Sequence, residues 1–190
     1  MTKTSVTARL RVLTLFLAFS LQAGRGNATV LAPADLVDLT HDSGAIIRGR
    51  IATVNSRWTE DRRAVETLVT VDVESSLKGP FDKTAQFLVP GGTLGRYRSV
   101  VVGAPQFEVG QRVIVFLAWQ GPRYPHLVGF SQGVFRVVNA ASETGSVVVP
   151  APIVRPSAGG TTIVRGDPAR QAPSLVAFEQ RLRALVGAQP

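Results

Sequence analysis

Hydrophobic and polar residues alternate strictly in "VTVDVE", where Val69, Val71 and Val73 share one side of an extended chain and Thr70, Asp72 and Glu74 the other. This period of two predicts a half-buried strand over residues 65–73, with Gly79-Pro80 forcing a turn and Lys78 left in solvent. "AIIRGRIATV", residues 45–54, predicts the strand before it, and Gly49 in its middle marks a bulge or tight bend. "NSRWTEDRRA" between the two reads as a polar hairpin loop. "AQFLVP", "SVVVG", "HLVGF" and "GVFRVV" add short strands. "VIVFLAW", residues 113–119, is continuously apolar, as a central strand buried on both faces requires. Helical spacing is confined to the ends. "APADLVDLTHDSG" carries Asp35 and Asp38 near a helix start and Gly44 as its stop. "SLVAFEQRLRALVG" repeats Leu175, Phe178, Leu182 and Leu185 behind a Ser174 cap.

The pattern predicts a mainly β fold, a small OB-like barrel of five to seven strands with a short N-terminal helix and a C-terminal amphipathic helix. Residues 29–149 form the barrel domain, residues 150–173 a proline- and glycine-rich extended segment, and residues 174–187 the last helix.

The first 28 residues change the picture from fold to destination. Lys3, Arg9 and Arg11 precede the apolar run "VLTLFLAFSLQA", and small residues follow, which is the layout of a cleaved signal peptide. Cleavage after Ala28 or after Ala23 fits the small-residue preference. The run is shorter than the roughly 20 residues of a membrane span. A secreted or periplasmic protein is expected, with no membrane span after cleavage. The chain has no cysteine, so neither a disulfide framework nor a cysteine-linked lipid anchor is available. The formal charge of +8 falls to +4 once Lys3, Arg9, Arg11 and Arg25 leave with the leader. No basic stripe remains, and nucleic acid is not an expected partner.

Candidate chemistry is sparse. His41 and His126 are the two histidines, and neither stands among enough ligands for a metal site, so no metal or cofactor is expected. No G-x-S-x-G elbow occurs, and "PGGTLGRYR" lacks the lysine of a phosphate loop. Arg96, Tyr97 and Arg98 place two guanidinium groups around an aromatic ring on a loop, and Arg57 with Trp58 forms a similar patch. That composition is favoured at protein interfaces.

The blocks "GAIIRGRI", "LKG", "LVPGG", "GAPQFEVGQRVIVFL" and "GFSQGVFRV", in this order over residues 34–138 and followed by "SLVAFEQRLRALV", resemble a family of uncharacterised exported bacterial proteins. The arrangement is also similar to netrin-like modules and the tissue inhibitors of metalloproteinases, which implies a five-stranded, partly open OB-type barrel. Those inhibitors reach the protease metal through an amino-terminal cysteine, which this chain lacks, so zinc chelation does not carry over. The expected function is that of an exported, non-catalytic binding or accessory domain recognising another protein, an exported protease or an envelope component. The alternative is an exported hydrolase or carbohydrate-active enzyme, for which Glu66, Asp72 and Glu74 on one strand supply the nearest carboxylates.

Overall fold

Alternation carried further than the sequence pattern suggested makes two long strands, β1 (Ala45–Trp58) and β2 (Val65–Lys78), paired antiparallel along their whole length. The computed structural model describes residues 34–121, 123–139, 145–151 and 172–188. The remaining strands are β3 (Thr84–Pro90), β4 (Gly92–Leu94), β5 (Tyr97–Ser99), β6 (Arg112–Ala118), β7 (His126–Leu127), β8 (Val134–Asn139) and β9 (Ser146–Pro150). Helix α1 (Leu36–Asp42) precedes them and α2 (Leu175–Gly187) follows. The signal-peptide reading and most of the proline-rich segment lie outside the described residues.

Strand β6 organises two cores. Val113, Val115 and Leu117 point to the interior cluster with Ile47, Ile51, Val69, Val71 and Phe87. Ile114 and Phe116 point to the opposite face, where Ile46, Phe135, Phe178 and Leu182 close under the two helices. Burial on both faces is why this segment is apolar without alternation. Each fully buried Phe, Leu or Ile contributes about 1.5–3 kcal/mol of transfer free energy, so α2 is held chiefly by Phe178 and Leu182. Phe178 packs against Phe135 with ring centroids 5.0 Å apart.

The helix ends are chemically finished. Asp35 accepts from the backbone N–H groups of Val37 and Asp38 at 2.8 Å each, and Asp38 accepts from that of Asp35 at 3.4 Å, a capping box. Ser174 accepts from the Ala177 N–H at 3.2 Å. At the far end of α1 the Lys78 ammonium donates to the Thr40 carbonyl at 2.9 Å. Lys78 is therefore part of the helix C-terminus rather than free in solvent, a position where a cation is favoured.

The expected OB-like β-barrel does not form. Seven strands make one sheet of order β1-β2-β3-β7-β6-β8-β9, with β1 also paired to β6, and β4 and β5 make a separate two-stranded sheet. Strand β7 is two residues long and meets β3 through the single pair Leu88 and His126, too little ladder to seal a wall. Beyond β6 the sheet continues through β8 to β9, whose one partner strand among the described residues is β8, with a single bridge from Val147 to Ser174 on its other side, an end that a closed barrel would lack. Two segments also differ from the sequence pattern: the expected strand "SVVVG", and residues 146–150, where no strand is expected. Residues 99–103 form no interior strand, and "SVVVP" at β9 adds a strand at the rim instead. Among the described residues no helix is long and apolar enough to cross a membrane.

Candidate binding surface

The glycine-rich "GGTLGRYRS" is a hairpin laid over the outer half of β1 and β2. Strands β4 and β5 pair through Gly92 and Ser99, Thr93 and Arg98, and Leu94 and Tyr97, leaving Gly95-Arg96 as a two-residue turn. Gly95 has φ of 58°, as the first position of a tight hairpin turn demands. The hairpin is anchored by hydroxyls: Thr67 Oγ1 donates to the Gly91 carbonyl at 2.7 Å and lies 3.1 Å from Ser56 Oγ, which accepts from the Thr93 N–H at 3.3 Å.

This anchoring brings together the two patches singled out in the sequence. Arg57 and Trp58 end β1 rather than lying in a loop, so their backbone is fixed by pairing to Glu66 and Val65. Trp58 meets Tyr97 edge to face with centroids 5.3 Å apart. Arg96 folds over the Tyr97 ring at 5.2 Å from its centroid and donates to its hydroxyl at 3.2 Å. Arg57 covers the Tyr124 ring at 5.4 Å and donates to Glu66 at 2.9 Å. Arg98 is exposed, opposite Thr93.

Tyr124 and Arg123 belong to the same surface, since Arg123 pairs with Glu60 in the β1–β2 loop. The signal that could have found them was present: "RY" at residues 123–124 repeats the "RY" at residues 96–97.

The carboxylates of β2 do not form an acid–base pair. Glu66 is held by Arg57, Asp72 stands opposite Arg50 in the strand register, and Glu74 takes Arg112 at 2.8 Å. Arg112 hydrogen-bonds Glu74 closely enough to hold its carboxyl below the usual glutamate range, against the opposing effect of partial burial. Beneath Glu74, Arg48 lies 3.5 Å from it and 3.1 Å from Glu179 of α2, which Arg183 also holds at 2.9 Å. This ionic chain fastens α2 to β1, β2 and β6. His41 is exposed at the end of α1 against Asp42, and His126 sits in β7 with a buried Nδ1 that makes no hydrogen bond. Among the described residues no three His, Asp or Glu side chains gather as metal ligands would.

Compared with known proteins, the chain matches no family model, no curated protein and no solved structure.

Proposed function

We propose that the chain is an exported, non-catalytic binding domain that recognises another protein through the surface of Arg57, Trp58, Arg96, Tyr97 and Arg98. The observation that carries this reading is the contact of Trp58 with Tyr97, which joins two exposed aromatic–arginine patches from distant parts of the sequence. Aromatic and arginine side chains dominate interface energetics because they present large, rigid areas with polar tips. Export to the periplasm or the medium rests on the leader-like first 28 residues. An exported protease or an envelope component fits that address as the partner.

Affinity capture from the native periplasm and culture fluid, with the chain from Thr29 as bait, tests the reading. One dominant protein should be retained by the parent chain and lost when Arg96, Tyr97 and Arg98 are changed together to alanine. Equal capture by both chains would remove this surface from the function.

A further inference from the structure

We infer that the surface around Trp58 and Tyr97 takes an acidic, aromatic-bearing polypeptide segment of its partner. The inference rests on the protein-binding reading above and adds the chemistry of what is bound.

Charge pairing across this face is uneven. Glu66 is neutralised by Arg57 at 2.9 Å, and Glu60 by Arg123. Asp61 accepts from the Thr59 hydroxyl at 2.6 Å and the Arg63 N–H at 3.1 Å, with the Arg63 guanidinium 3.8 Å away. Each of these acids is thus already matched. Arg96 and Arg98 have no carboxylate partner among the described residues, and both are exposed. The surplus is positive, and a complementary partner supplies carboxylates.

The setting of those two cations narrows the class. Arg96 is held against the Tyr97 ring and hydroxyl, so its fork is partly ordered before any ligand arrives. Trp58 meets the same Tyr97 edge to face. Charged and aromatic groups therefore lie side by side over a short distance, which matches a peptide carrying both acids and rings. An anionic membrane surface calls for clusters of roughly 4–8 basic residues, and among the described residues no such cluster of uncommitted cations lies on this face. Among the described residues β5 pairs with no strand other than β4, an arrangement to which an extended segment can add.

The test is titration of the full chain with a synthetic glutamate–tyrosine copolymer, read by anisotropy, with a lysine–tyrosine copolymer, polygalacturonate and anionic phosphatidylglycerol vesicles as competitors. The inference expects saturable binding of the acidic copolymer alone, weakened by salt. It also expects a loss of about tenfold or more when Arg96→Gln and Arg98→Gln are combined. These positions are exposed, and circular dichroism of the variant should match the parent. Absence of saturable binding, binding unchanged in the double variant, or equal affinity for polygalacturonate or the vesicles would overturn it. The same double variant, used as capture bait, separates the two levels. A partner lost on triple alanine replacement but kept by the double glutamine variant leaves the binding-domain reading standing and removes the acidic segment.

Discussion

Trp58, the last residue of β1, and Tyr97, the first of β5, stand at 65° to one another with centroids 5.3 Å apart, yet remain 39% and 48% exposed. An edge-to-face aromatic pair contributes about 0.5–1.5 kcal/mol. Here that energy adds little to the core and instead fixes the attitude of the β4–β5 hairpin on the β1–β2 ribbon. The surface is thereby ordered before a partner arrives, which lowers the entropic cost of binding.

The two tryptophans of the chain make this face directly observable. Trp119 lies elsewhere, stacked on Phe81 at 5.7 Å with planes 13° apart. A ligand on the Trp58 and Tyr97 surface should change the emission of Trp58 and leave that of Trp119 unaltered. Titration of Trp119→Phe should keep the parent response, and titration of Trp58→Phe should abolish it. A response that survives in Trp58→Phe would place the ligand elsewhere.

Gly49 is required by contact. A Cβ there would fall 2.2 Å from the Asp72 carbonyl oxygen and 2.5 Å from Val71 Cγ1, where β1 bulges against β2. Gly49→Ala should destabilise by at least the roughly 1–3 kcal/mol of an overpacked core, read as a lower urea midpoint. Gly187, at the end of α2, has open space around it, and Gly187→Ala should be neutral or stabilising by a few tenths of a kcal/mol. Similar losses at both sites would contradict the contact argument.

What the sequence made legible follows from the range of the forces involved. The alternation of β2, the two-faced burial of β6, the bulge at Gly49 and the Ser174 cap of α2 are local, and each is written in a few neighbouring residues, whereas the left-handed stop expected at Gly44 is absent and α1 ends at an extended Ser43. The extension of β1 through Arg57 and Trp58 was not legible, because polar residues 55–57 look like loop until β2 supplies their hydrogen bonds. Nor was the sheet closure, which depends on how far β7 runs beside β3. Strand β7 meets β3 through one pair, and a short run such as "HLVGF" cannot encode that alone. The separate patches at residues 57–58 and 96–98 were legible by composition, whereas their junction depended on Ser56 and Thr67 gripping the glycine hairpin.

Glu179 should hold α2 to the sheet through Arg48. It is only 7% exposed and bridges Arg48 and Arg183. Glu179→Gln leaves the Arg48 guanidinium with a weakened partner in a half-buried site, at a cost of about 1–3 kcal/mol. Combining it with Arg48→Met should recover much of the loss, since removing both charges also removes their desolvation penalty. Denaturant titration of the single and double variants measures the coupling, and strictly additive losses would mean that the pair does not interact.

Acid should weaken the fold through Glu74. The hydrogen bond from Arg112 lowers its folded pKa relative to the unfolded chain. Its contribution is therefore complete above the ordinary glutamate value, about 4.3, and is lost as pH falls through the lower folded value. Glu74→Gln should be less stable than the parent near pH 7, and the difference should shrink toward pH 3. The side chain is partly exposed, so solvent screening keeps the effect small. A gap between the two chains that stays constant from pH 7 to pH 3 would show that ionisation of Glu74 is not the cause.

Gly92 offers a way to separate the surface from the fold beneath it. Its φ is 144°, and a Cβ would lie 2.4 Å from Thr67 Oγ1 and 2.5 Å from Ser56 Oγ, the two hydroxyls that grip the hairpin. Gly92→Ala should therefore lift β4 and β5 from the β1–β2 ribbon and part Tyr97 from Trp58. The main core is formed by β1, β2, β3 and β6 without the hairpin, so unfolding should remain cooperative. Amide exchange should accelerate over residues 91–99 and stay slow in β6, while capture of the partner falls. If capture persists although the hairpin exchanges freely, recognition does not depend on the joined surface, and Arg57 with Trp58 would have to act alone.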